Sequence, residues 1–153
     1  MIDYEIRDCK REDLPSLLSL CESHAMHEQS TFDPRNKIAG LEQAIFSPSP
    51  KLYCWIVERH ATRVGYCTYT FDFSTWDAQQ FLYLDCLFLE PAYRGLGIGQ
   101  EIIRRLIKEA QANECVNIQW QTPTFNVDAI KFYNRIGATG QQKERFTYTI
   151  QSS

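Results

Sequence analysis

The sequence predicts an α/β domain with a mixed central sheet and helices on both faces. The period of the apolar residues is helical before residue 50, alternates like strands from 52 to 89, and then switches between the two. A glycine-rich turn, Arg94-Gly95-Leu96-Gly97-Ile98-Gly99, also stands between an apolar strand and the most regular helix of the chain. A length of 153 residues suits one ordinary domain, taken as residues 1–153.

Each element has its own signal. Tyr4-Glu5-Ile6-Arg7 alternates as an opening strand. Leu14, Leu17, Leu18 and Cys21 recur at helical spacing and predict a helix over Glu12–His24. Pro15 fits its first turn, where a missing N–H costs little. A second helix, Lys37–Phe46, carries Ile38, Leu41 and Ile45 on one side and stops at Ser47-Pro48-Ser49-Pro50. Strands Leu52–Arg59 and Val64–Phe71 flank a four-residue turn, His60–Arg63. Strand Phe81–Leu89 follows the polar stretch Ser74–Gln80; except at Asp85 it is apolar on both alternating faces, as a strand covered on both sides is. Ile98, Ile102, Ile103, Leu106, Ile107 and Ala110 form the stripe of a helix over Ile98–Ala112. Val116–Gln121 reads as a strand, and Asn126 is placed to cap a helix that runs to Ile136 and ends at Gly137. A last strand is expected near Phe146–Ile150.

Bulk properties exclude several function classes. A net charge of −3 disfavours nucleic acid, whose phosphates require a basic face. No apolar run approaches the ~18 residues of a membrane span, and Met1-Ile2-Asp3-Tyr4-Glu5 lacks a basic-then-apolar leader pattern. A cytoplasmic protein with neither a membrane nor a nucleic-acid partner is expected. Cys9, Cys21, Cys54, Cys67, Cys86 and Cys115 are scattered without a C-x-x-C pair, several inside apolar runs. They read as reduced core residues rather than disulfides or zinc ligands, so no metal is expected.

The glycine turn is the most informative segment. Its glycines let several N–H groups converge at a helix start, where the helix dipole adds a positive field, which is a cradle for pyrophosphate. Arg94 brings a donor fork for phosphate oxygens. A P-loop would require Gly-Lys-Ser/Thr, which is absent. A Rossmann turn would require G-x-G-x-x-G directly after its strand and an acid at the end of the next. Here the spacing is G-x-G-x-G, Glu90–Tyr93 intervene, and Glu114 precedes the next strand. No Ser-His-Asp or Cys-His spacing argues for a covalent acyl-enzyme.

Tyr93-Arg94-Gly95-Leu96-Gly97-Ile98-Gly99 resembles the acetyl-CoA pyrophosphate motif of the GNAT N-acetyltransferase superfamily. Within it the chain is most similar to the diamine (spermidine/spermine-type) acetyltransferases. The likeness runs through Ala25-Met26-His27-Glu28, Gly65 to Asp72 with Trp76, Leu82-Tyr83-Leu84-Asp85, the glycine turn, and Asn126 through Phe132-Tyr133 to Gly137-Ala138. It implies the GNAT acyl-CoA N-acyltransferase fold, with the sheet opened between Phe81–Leu89 and Val116–Gln121 and acetyl-CoA as cosubstrate in the gap. It also implies a homodimer that transfers acetyl directly to a primary amine of a small polyamine-like or lysine-like acceptor. A protein amine or an aminoglycoside is the alternative acceptor, and a CoA-binding sensor without catalysis the alternative class.

Carried over by position, the resemblance gives each residue a role. Leu87, Phe88 and Leu89 would pair their main chain with the pantetheine arm, as an added strand does. Gly95, Leu96, Gly97, Ile98, Gly99 and Gln100 would turn N–H groups to the pyrophosphate. Asn126 would bond the pantetheine beside Val127, Asp128 and Ala129. Tyr133 stands at the family's catalytic tyrosine, Asp85 where the diamine enzymes carry a glutamate, and Glu28, beside His27, at an acid that holds the polyamine. Cys86 replaces an acid that contacts the amine, and Arg145 falls near another, with Glu144 adjacent. Trp76 and Tyr83 either line the acceptor pocket, where aromatic faces attract cations, or simply pack. His24 and His27 read as surface or capping residues ahead of alternative bases.

The chemistry matches these residue types. An amine with a pKa near ~10 attacks only when neutral, so a base must take its proton. Asp85 sits in an otherwise apolar strand, and burial there is expected to raise its pKa; the plainer alternative is a buried carboxylate paired with an arginine. The N–H of Leu87 is the candidate donor to the developing oxyanion. Tyr133 follows Asn126 by two helical turns and shares its face, so its phenol can protonate the departing thiolate. Core packing beside Ile130 and Ile136 is the competing role for that ring.

Overall fold

The computed structural model describes residues 2–151. Met1, the start of the stretch read for a leader pattern, and Ser152-Ser153 lie outside the described residues. The chain divides into two compact units, Met1–Gln121 and Thr122–Ser153.

The first unit is built on a five-stranded sheet in the order β1-β2-β3-β4-β5. Its strands are β1 (Glu5–Asp8), β2 (Tyr53–Arg59), β3 (Thr62–Ser74), β4 (Gln79–Leu89) and β5 (Ile118–Gln119). The first four pair antiparallel in sequence, and β5 joins β4 in parallel, so the sheet is mixed. Three helices belong to this unit: α1 (Leu14–His27), α2 (Lys37–Phe46) and α3 (Ile98–Ala112). Pro15 lies in the first turn of α1, as its missing N–H dictates.

Strand alternation divides the core between the two faces. Cys54, Ile56, Tyr66 and Phe88 are buried against Leu14, Leu17 and Leu20 of α1, with Leu41, Ile45 and Phe46 of α2 packed at the side. The alternate residues Val57, Cys67, Tyr69, Leu82 and Leu84 are buried as well. They lie on the α3 side, where Ile98, Ile102, Ile103, Leu106 and Ala110 form a buried stripe. Ile107, expected in that stripe, is 44% exposed. All six cysteines are free, with Cys9, Cys54 and Cys67 buried. Among the described residues no helix is long and apolar enough to cross a membrane.

A buried ion cluster ties the start of α1 to the sheet. The Asp13 carboxylate, fully buried, accepts from Arg7 at 2.7 and 2.9 Å, from the Arg63 Nε–H at 2.8 Å and from the Lys10 main-chain N–H at 2.7 Å. Arg7 reaches on to Glu58 at 3.0 Å. The Arg7 guanidinium and the other donors hold the Asp13 carboxyl well below the usual carboxylate range, although burial opposes them.

The structure also corrects the sequence reading of one turn and two strands. The four-residue turn narrows to His60-Ala61, both left-handed (φ 49° and 63°), and Arg59 pairs with Thr62. Two left-handed residues give a hairpin turn whose twist matches that of the strands. The strand expected over Val116–Gln121 shrinks to β5, although Val116 N–H still donates to Gln80 O at 2.8 Å. No strand forms near Phe146–Ile150, and Phe146, Tyr148 and Ile150 are 87%, 90% and 82% exposed. A strand exists only with a ladder partner, and among its described residues the second unit has none to offer.

Candidate active site

β4 pairs with β3 along its length, but with β5 only at Leu82↔Ile118 and Tyr83↔Gln119. Beyond Tyr83 the sheet is therefore open on that side, as the sequence reading expects. Cys86 pairs with Thr68 and Leu84 with Tyr69, so Asp85 is the extra residue of a β-bulge. From Leu87 to Leu89, β4 presents an edge to which an extended arm can add as a strand. Gly65 lies opposite Leu89, where a Cβ would come within 2.7 Å of the Phe88 carbonyl oxygen, so only glycine permits this close pairing.

Glu90 and a single 3-10 turn, Pro91–Tyr93, separate the end of β4 from the glycine turn. Arg94 Nε–H donates to the Leu89 carbonyl at 2.8 Å, and the guanidinium lies 5.3 Å above the Phe88 ring. Gly95 and Gly97 are left-handed, with φ of 72° and 86°. A Cβ at either would meet nothing within 4 Å, so backbone conformation, not space, requires glycine there. Gly97 is the N-cap of α3, and no side chain caps the first turn. The Glu101 N–H makes the first helical bond, to Gly97 O at 3.1 Å. The N–H groups of Ile98, Gly99 and Gln100 precede it and stand at the positive end of the helix dipole. Exposed Leu96 and Gln100 and the buried Ile98 side chain leave the main chain as the common donor of this loop. These features fit a pyrophosphate.

Asp85 is exposed, because the bulge turns it out of the apolar alternation. Neither the burial expected to raise its pKa nor its pairing with an arginine is found. Next to it, the half-buried Cys86 thiol donates to Asp85 Oδ2 at 3.7 Å. Burial and the nearby Asp85 charge push that thiol up to about 12. His27, exposed in the last turn of α1, lies 6.4 Å from the Phe88 ring. Glu28 Oε2 is 3.0 Å from His24 Nε2.

His24 is the residue that sequence reasoning undervalued. Its ring stacks on Phe88 at 5.2 Å, its Nδ1 lies 2.7 Å from the Tyr66 hydroxyl, and its side chain is 14% exposed. The signal was present, since His24 falls one helical turn after Leu20 and two after Leu17 on the buried stripe of α1. The Tyr83 hydroxyl accepts from Gln121 Nε2 at 3.1 Å. Trp76, at the β3–β4 turn, is 99% exposed and is not brought to the cluster.

The remaining candidates lie in the second unit, on and around α4 (Val127–Arg135). Asn126 occupies the N-cap position, but its side chain does not cap; Nδ2 donates to Thr122 Oγ1 at 3.4 Å. Asp128 is exposed in the first turn and Ala129 is half-buried. Tyr133 is half-buried with its ring 5.5 Å from that of Phe132. Ala138 N–H donates to Tyr133 O at 3.0 Å and Gly137 N–H to Asn134 O at 3.1 Å, a Schellman cap that left-handed Gly137 (φ 97°) permits.

Residues 12–138 match the Acetyltransferase (GNAT) family. Thialysine N-epsilon-acetyltransferase of Sus scrofa is 27% identical over 146 residues, covering 90% of this chain and 85% of that protein. Spermidine/spermine N(1)-acetyltransferase-like protein 1 of Homo sapiens is 28% identical over 148 residues, which are 92% of this chain but 21% of that protein. Among solved structures, an aminoglycoside N-acetyltransferase in complex with CoA superposes with a TM-score of 0.78 at 15% identity, covering 96% of this chain and 95% of that one. A possible acetyltransferase from Clostridium difficile gives 0.80 at 18%, covering 97% and 99%. Both share the fold.

Proposed function

The chain belongs to the acetyltransferase (GNAT) family, and from that premise we propose that it moves the acetyl group of acetyl-CoA directly to a primary amine of a small polyamine-like or lysine-like molecule. The observation that carries this is the open edge of β4, followed after Glu90–Tyr93 by the uncapped, glycine-turned start of α3. The family match spans both compact units, which supports residues 1–153 acting as one N-acetyltransferase domain.

In this reading the main chain of Leu87–Leu89 holds the pantetheine arm, while Arg94 and the N–H groups from Gly95 to Gln100 grip the pyrophosphate. Asn126, Asp128 and Ala129 are the further residues proposed to hold the arm. Acetyl-CoA supplies the activated carbonyl and a thiolate leaving group. Asp85 takes the proton of the bound ammonium, the Leu87 N–H donates to the carbonyl oxygen as charge builds there, and Tyr133 gives its phenolic proton to the departing sulfur. Glu28, His27, Asp85 and Cys86 border the acceptor, and Trp76, at the β3–β4 turn, takes no part in that cluster. A neutral thiol at Cys86 leaves fewer negative charges there, which favours a lysine-like or short diamine acceptor over a long polyamine. The names of the relatives, one acting on thialysine and one called spermidine/spermine-like, support the same class.

Thiol release from acetyl-CoA, screened across polyamines, lysine analogues, aminoglycosides and peptides, tests the proposal. Turnover with small amines is expected; CoA binding without thiol release would establish the sensor reading instead. Tyr133→Phe is expected to lower kcat about 10²-fold with CoA affinity unchanged. An unaltered kcat would remove Tyr133 as the acid.

Free cysteines support a reducing, cytoplasmic setting, and the net charge of −3 disfavours a nucleic-acid partner. A homodimer is supported by the exposed apolar Phe146, Tyr148 and Ile150, which a second copy would cover. Sedimentation as a monomer at micromolar concentration would rule it out.

A further inference from the structure

The mechanism above leaves His24 and Tyr66 unused, yet both lead to a residue that it does use. His24 and Glu28 stand one turn apart at the end of α1, with Glu28 Oε2 3.0 Å from His24 Nε2. On the other side of the ring, Nδ1 lies 2.7 Å from the Tyr66 hydroxyl. Phe88 stacks on the ring at 5.2 Å, and Tyr66 meets it edge-on at 5.8 Å. Tyr66 is 2% exposed and the His24 side chain 14%, so the ring is held on every polar and apolar side.

The main chain of Glu28 is fixed as firmly. Glu28 is the C-cap of α1. Ser30 N–H donates to Ala25 O at 2.8 Å and Gln29 N–H to Met26 O at 3.1 Å, the two bonds of a Schellman motif. The motif keeps Gln29 left-handed at φ 57°, which costs free energy in a residue that has a Cβ. The Glu28 carboxylate therefore stands at the negative end of the helix dipole, where an anion is disfavoured and a cation is welcome. The group that meets it is His24, a donor that need carry no charge of its own, and the Glu28 side chain is 33% exposed. Its negative charge stays open to a ligand.

We propose that His24 and Tyr66 are positioning residues of the acceptor site, which hold the Glu28 carboxylate in one place so that it selects acceptors with a second ammonium group. The proposal rests on the acetyltransferase reading and deepens it: Asp85 meets the reacting amine and Glu28 the second charge.

The neutral ring has one arrangement of hydrogens that fits. A carboxylate only accepts, so Nε2 carries the hydrogen and donates it to Glu28. Nδ1 then offers a lone pair, which the Tyr66 O–H fills. Burial drives that phenol far above its ordinary range, so its hydrogen stays in place. Without the hydroxyl, the ring is free to carry its hydrogen on Nδ1 and to turn a lone pair toward the carboxylate. A side chain already held by a stacked, bonded ring also spares the acceptor the entropy of ordering a free glutamate.

Acetyl transfer from acetyl-CoA to putrescine and to n-butylamine, equal in chain length but not in charge, tests this. The parent is expected to favour putrescine in kcat/KM about tenfold. His24→Phe keeps the stack on Phe88 and removes both hydrogen bonds. It is expected to raise KM for putrescine about tenfold, with kcat and the KM for n-butylamine unchanged. Tyr66→Phe acts through the tautomer, so a smaller rise in the same KM is expected. His24→Gln, whose amide N–H still reaches toward Glu28, is expected to recover most of what His24→Phe loses. Glu28→Gln removes the charge itself, and on that background His24→Phe is expected to add nothing.

A merely structural role predicts losses that fall equally on both amines, no recovery in His24→Gln, and additivity with Glu28→Gln; any of these overturns the proposal. Should His24→Phe fail to fold, Tyr66→Phe and Glu28→Gln, singly and together, decide by the same criteria. Parent turnover of n-butylamine on a par with putrescine, or transfer to other amines but not to putrescine, also overturns it. No transfer to any amine of the panel would instead defeat the acetyltransferase reading.

Discussion

Asp85→Asn is expected to lower kcat/KM about 10²–10⁴-fold near pH 7, with the deficit shrinking as pH climbs toward the amine's own pKa of about 10. The amide is isosteric but cannot take a proton, so only acceptor molecules already neutral in solution can react. The variant should fold normally, because Asp85 is the exposed extra residue of a bulge and supports no buried ion pair. A pH-rate profile of parent and variant with one amine checks this. A deficit that is constant with pH would show that Asp85 binds the acceptor rather than deprotonating it. A normal rate would place the base elsewhere.

Asp13→Ala is expected to destabilise the fold by about 3 kcal/mol at pH 7, lowering Tm by about 10 °C. It leaves Arg7 and Arg63 facing each other with the shared carboxylate gone. Because the native pKa of Asp13 is depressed, its stabilisation is complete above the unfolded value of about 3.9 and fades as pH falls toward the native one. The gap in Tm between parent and variant should therefore hold from pH 7 to about pH 4 and narrow below that. Equal Tm values at pH 7, or a gap unchanged down to about pH 2, would contradict the ionic account.

Much of the site could be read along one dimension. The Gly95–Gly99 turn demands left-handed backbone at a helix start, and both that conformation and the boundary at Ile98 follow from residues adjacent in sequence. Asp85 was legible as a polar residue in an apolar strand, but not as a bulge. A bulge belongs to the register between two strands, here the shift at Thr68/Tyr69, and no single strand encodes it. The expectation that Asp85 is desolvated failed for that reason. His24 was passed over because its importance lies in Tyr66, 42 positions away.

By itself the sequence determined the helices, the long strands and the glycine turn, since each depends on period, capping and glycine at neighbouring positions. Tertiary structure alone decided where β4 parts from β5, which way Asp85 faces, that His24 joins Glu28 to Tyr66, and that Phe146–Ile150 stays unpaired. Those outcomes turn on hydrogen bonds and burial between distant segments. Such partners exist only once the chain has folded.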